Sequence, residues 1–103
     1  MASGTLGQAS LAATTNTTVY TVPAGKVATF NVSVVNRGAT QTTIRLAIAA
    51  TGTPSDAEWL EYDAPIISSG VVERTGLVAS AGKNIVAYAG NGNLSVNVYG
   101  YEE

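Results

Sequence analysis

The chain has no cysteine and no histidine, and each absence removes a class of chemistry. Without cysteine there is neither a disulfide framework nor a thiolate metal site. Without histidine the commonest general base is gone, and with it the commonest ligand for zinc, copper and iron. Charge is scarce as well: five Lys or Arg stand against seven Asp or Glu, a net −2. Five scattered basic residues form no stripe to replace phosphate counterions, so no nucleic-acid partner is expected. No apolar run approaches the ~20 residues of a membrane-spanning helix, so no membrane partner is expected. The opening Met1-Ala2-Ser3-Gly4 lacks the basic and apolar regions of a signal peptide, and the sequence reads as a complete, soluble, unexported product.

What remains in 103 residues is one domain's worth of Val, Ala, Thr, Gly and Asn, a composition that favours pleated sheet. Sparse charge on a chain this size also suits surfaces that pack against other protein, hence a homo-oligomer. The period-2 signal is strong. In "KVATFNVSVVN" Ala28, Phe30, Val32 and Val34 share one face, and Thr29, Asn31 and Ser33 the other. In "TTIRLAIA" Ile44, Leu46 and Ile48 oppose Thr43, Arg45 and Ala47. In "NLSVNVYGY" Leu94, Val96 and Val98 oppose Ser95, Asn97, Tyr99 and Tyr101. Shorter strands are expected at 17–22, 70–79 and 84–89.

Turn chemistry punctuates these runs. Val22-Pro23-Ala24-Gly25 fits a type I turn, so residues 19–38 read as a β-hairpin, and Gly90-Asn91-Gly92-Asn93 reads as the last hairpin. Only "TGTPSDAEWLEYDAP" breaks the strand pattern: Ser55-x-x-Glu58 resembles a capping box and predicts one short helical turn, then a strand around Trp59 to Tyr62. The expectation is an all-β fold, an antiparallel β-sandwich over residues 13–103 with immunoglobulin-like or jelly-roll connections and at most one helical turn. Residues 1–12, small and weakly patterned, read as an arm ordered by a partner.

Candidate chemistry is thin. Asp56, Glu58, Glu61 and Asp63 flank Trp59 and Tyr62. Calcium would want several such oxygens, but no EF-hand spacing is present; a paired-carboxylate glycosidase would want a long cleft. Trp59 and Tyr62, and separately the outward Tyr99 and Tyr101, could stack on a sugar or on a protein partner. The alternative is a solvated acidic loop whose Trp59 plugs the end of the sandwich. Arg45 can pair with an acid of this loop. Glu73 and Arg74, adjacent on a strand, face opposite sides and cannot pair within it, so each is free to meet a cross-strand neighbour or another subunit. No serine has a histidine to activate it, and no phosphate loop or cofactor motif occurs, so the sequence reads as a non-enzyme.

Taken in order, "TTVYTVPAGK", "VSVVNRG", "IRLAIA", "EWLEYDAPI" and "GVVERTGLV" resemble small tailed-bacteriophage virion structural proteins, including those of cyanophages. The similarity spans Gly4-Thr5-Leu6, Tyr20 to Ala24, Asn36-Arg37, Ile44 to Ala47 and Glu61 to Asp63. It implies a particle component with no catalytic residue, no metal and no cofactor, assembled in the host bacterial cytoplasm and partnered by other virion proteins. The resemblance fits a capsid decoration (cement) protein first, and a tail, neck or fibre component second. A carbohydrate-binding module used in host adsorption is the remaining alternative.

Overall fold

A computed structural model describes residues 3–103. Eight strands run β1 Ser3–Ser10, β2 Thr17–Thr21, β3 Ala28–Asn36, β4 Thr42–Ala49, β5 Trp59–Ile66, β6 Val71–Ala79, β7 Asn84–Ala89 and β8 Leu94–Glu102. One 3-10 turn, Asp56–Glu58, precedes β5, where the Ser55-x-x-Glu58 spacing placed it. The Glu58 carboxylate accepts the Ser55 N–H at 2.8 Å and the Ala50 N–H at 2.9 Å, which ties the turn to the end of β4.

The strands form two four-stranded antiparallel sheets, β1-β8-β3-β6 and β2-β7-β4-β5. Pairing β1 with β8, β2 with β7, β3 with β6 and β4 with β5 describes one long antiparallel ribbon folded at β4–β5. Rolling that ribbon sends successive segments to alternate sheets, and the β3–β8 and β4–β7 contacts close it. This strand order is the jelly roll, so the structure chooses between the two sandwich topologies that the sequence left open.

The same order corrects the hairpin expectations. β2 and β3 lie in different sheets, so residues 19–38 cross between sheets instead of forming a hairpin; β7 and β8 do the same. The turn after β2 is also displaced by one residue: the Lys26 N–H donates to the Pro23 carbonyl, and Gly25 takes φ 76°. That left-handed value suits glycine at the third position of a type II turn. Residues 3–10 are not an arm either. They add β1 to the edge of β8, and Leu11 beyond them is 1% exposed within the core.

The predicted alternation holds where one face meets the other sheet. Phe30, Val32, Val34, Ile44, Leu46, Ile85, Leu94, Val96 and Val98 fill the interior. Burying each such side chain stabilises by about 1.5–3 kcal/mol. Gly100 is dictated by this packing: a Cβ there would lie 2.1 Å from the Thr29 carbonyl oxygen.

Polar side chains join the two sheets at the sandwich margins. Arg74 of β6 donates to Glu61 of β5 at 2.6 Å, so the Arg74 partner comes from the facing sheet. Tyr20 of β2 donates its hydroxyl to Glu102 of β8. Burial first, and then the Glu102 carboxylate, push the Tyr20 phenol up from 10 to about 12. The folded state thus holds this proton more tightly than the unfolded chain. The stability it contributes is complete below pH 10 and declines as pH rises through about 12. In an alkaline absorbance titration one tyrosine should ionise after the others, and Tyr20→Phe should remove that late step. Five tyrosines titrating together would contradict this.

Candidate functional site

The richest side-chain cluster lies on the outer face of the β2-β7-β4-β5 sheet. Ile44 and Leu46 face the core, so Arg45 between them projects outward, opposite Tyr88 of β7. On the other side β5 departs from regular pairing twice. Ile44 pairs with Ala64 and Leu46 with Glu61, which leaves both Tyr62 and Asp63 opposite Arg45; a second shift sets Trp59 beside Ala47. A regular strand would send Tyr62 to the face opposite Trp59 and Asp63. Extra residues in the bulged strand bring all three to the same side. The first bulge holds Asp63 at φ 52°, a left-handed conformation that aspartate tolerates better than most residues other than glycine and asparagine.

Arg45 organises these groups. Its Nε donates to Asp63 Oδ1 at 2.6 Å and its Nη2 to Oδ2 at 3.2 Å, a two-point carboxylate clamp. The guanidinium carbon lies 4.1 Å from the Tyr62 ring centre and 4.5 Å from that of Tyr88, with Trp59 at 5.9 Å. A guanidinium over an aromatic face is drawn to the negative face of the ring. The Arg45 bond holds the Asp63 carboxyl below its ordinary range, and the Asp63 bond raises the guanidinium in turn. Trp59 and Tyr62 meet edge to face, ring centres 5.5 Å apart at 71°.

Trp59 also lies over Ala47, Ala49 and Val86, which are completely buried although they point away from the main core. It covers the outside of a sheet instead of plugging the sandwich end. Beside it Asp56, Trp59 and Tyr62 line an open depression of about 400 Å³.

The four acids of this region do not converge. Glu58 is engaged by backbone N–H groups, Glu61 by Arg74 and Asp63 by Arg45. Among the described residues no three His, Cys, Asp or Glu side chains are grouped to hold a metal ion.

The five residues singled out from the sequence separate into three places. Trp59 and Tyr62 belong to the cluster just described, and Arg74 sits at the margin between the sheets. Tyr99 and Tyr101 lie on the outer face of the opposite sheet, where the Tyr99 hydroxyl reaches Glu73 at 3.5 Å across β3. One small ligand cannot touch both aromatic pairs, Trp59 with Tyr62 and Tyr99 with Tyr101. Tyr88 was not singled out; its place on β7 opposite Arg45 depends on a long-range pairing that no local pattern encodes.

Comparison with protein-family models, with curated proteins and with solved structures yields no match.

Proposed function

We propose that the chain is a structural component of a bacteriophage particle, a decoration protein that seats the outer face of its β1-β8-β3-β6 sheet on the capsid. The observation that carries this reading is the chemistry of that face. Thr29, Asn31, Ser33 and Val35 of β3 project from it between Ser95, Asn97, Tyr99 and Tyr101 of β8 and the outward residues of β6. Of the three charged residues on its four strands, only Glu73 projects from this face; Arg74 and Glu102 turn to Glu61 and Tyr20 at the margins, and Arg37 reaches Ser10 at one end. Charged groups are depleted at the centres of protein interfaces because their desolvation is costly, and neutral hydroxyl and amide side chains lose water at a lower cost than charges when they are paired again across the contact. At one end Val78, Thr29 and Tyr101 form a row across the sheet, and Val78 and Tyr101 are both well exposed.

The ordered sequence similarity to tailed-phage virion proteins supports the same reading. So, as analogy alone, does a jelly roll, a fold used by viral capsid and lectin domains. An antibody against the chain should label gradient-purified particles, with a copy number in fixed ratio to the major capsid protein. Thr29→Lys places a charge between the exposed Val78 and Tyr101 and should lower incorporation by at least about tenfold while leaving thermal unfolding unchanged. Protein that stays free of particles, or undiminished incorporation of Thr29→Lys, would refute the proposal.

A further inference from the structure

The outer face of the other sheet carries an arrangement that particle attachment leaves unused. Covering Ala47, Ala49 and Val86 requires only Trp59. It does not require Tyr62, which remains 59% exposed, nor the left-handed Asp63 that brings Tyr62 alongside. Yet Tyr62 is held in place by the Arg45 stack, and Arg45 by the two-point clamp to Asp63. An aromatic ring fixed in advance while left in water has already lost the freedom that binding would otherwise remove.

From this geometry we infer that the depression formed by Asp56, Trp59 and Tyr62 binds a neutral saccharide. Two rings at 71° make a floor and a wall, the shape that receives the C–H face of a pyranose and one of its edges. Each ring offers an apolar body for that face to cover. The Asp56 carboxylate, which has no hydrogen-bond or ion-pair partner among the described residues, supplies acceptors for sugar hydroxyls at the rim. Charge decides the ligand class. The cation at the cluster, Arg45, is matched by Asp63, so Asp56 leaves the rim negative. Phosphate, nucleic acid and sulfated or uronic-acid glycans would be repelled. A neutral polyol meets no such penalty.

Trp59 is the sole tryptophan, so its fluorescence reports this site directly. The full chain should be titrated with neutral gluco-, manno-, galacto- and xylo-oligosaccharides, with sulfated counterparts, and with a proline-rich peptide as another ligand of aromatic grooves. At least one neutral oligosaccharide should change the emission saturably. Tyr62→Ala and Asp56→Asn should each weaken that binding by about tenfold or more. Tyr62→Phe should retain most of it, since the ring stays. Tyr99→Ala, on the far sheet, should leave it unchanged. Circular dichroism melting of each variant separates lost binding from lost fold. No response to any neutral saccharide overturns the inference, as does binding that survives Tyr62→Ala in a folded protein, or preference for the sulfated series or the peptide. Particle incorporation is read on the opposite sheet, so either proposal can fail without the other.

Discussion

Deletion of residues 3–12 is expected to abolish cooperative folding at room temperature. These residues contribute β1, which pairs with β8 from Ser3↔Tyr101 to Ser10↔Ser95. The Leu11 N–H donates to the Leu94 carbonyl at 2.9 Å, and its side chain is among the largest in the core to be fully buried. Truncating such a leucine to alanine alone costs about 2–5 kcal/mol. Leu6 and Ala9 also pack on the core, and their removal would leave one whole edge of β8 without its hydrogen bonds. Against a total of about 5–15 kcal/mol, that loss is decisive. Thermal unfolding followed by circular dichroism should show no sigmoidal transition for the truncated chain. A synthetic peptide of residues 3–12, added in excess, should restore one by reoccupying the edge. A truncated chain that melts cooperatively near the temperature of the intact one would instead make these residues the detachable arm that their composition suggests.

The reason that stretch misleads as sequence is physical. Gly7 lies where a Cβ would stand 2.2 Å from the Val19 carbonyl oxygen, so β1 can approach β2 only with the smallest residue there. A strand built for close approach looks like a flexible tail. Elsewhere the amphipathic signal is faithful, because β3, β4 and β8 each bury one face against the opposing sheet, and a period of two is what such burial selects. What local pattern could not convey is which sheet a strand joins. Pro23 and Gly25 specify that the chain turns, and a turn between sheets uses the same residues as a turn within one.

The cluster around Arg45 was half legible. Arg45 projects from the polar side of its strand, and an acid of the following segment does meet it. The bulges that gather Trp59, Tyr62 and Asp63 add residues to β5 relative to β4, and a pairing of two strands is not written in either one. β5 also runs through Pro65 to Ile66, beyond the expected Trp59 to Tyr62. It can because β5 is the outermost strand of its sheet, where a missing N–H need not break a ladder.

Asn36→Asp should be the most damaging isosteric change in the protein. Asn36 is fully buried at the inward end of β3, and its amide nitrogen donates to the Thr40 carbonyl at 2.9 Å and the Ile66 carbonyl at 3.1 Å. Its Oδ1 accepts the Gly38 N–H at 2.9 Å. One side chain thereby satisfies the loop after β3 and the end of β5, while its own backbone bonds Ser69 and Gly70. The introduced carboxylate could still accept from Gly38 but would set an anion against two carbonyl oxygens. Losing one partner of a buried polar pair costs about 1–3 kcal/mol, and an uncompensated buried charge about 3–5 kcal/mol. The burial cost falls on the ionised form, so this carboxyl should bind its proton more tightly folded than unfolded. The penalty is then smallest below the unfolded pKa of about 3.9 and grows as pH rises through the folded value. Denaturant unfolding of the variant against the parent at each pH isolates this effect from Asp63 and Glu58, whose depressed carboxyls cost both proteins stability in acid. The expected loss at neutral pH is at least about 3 kcal/mol, exceeds that of Asn36→Ala, and shrinks toward pH 4. A penalty equal to that of Asn36→Ala, or one independent of pH, would mean that the amide donors of Asn36 do not hold these segments together.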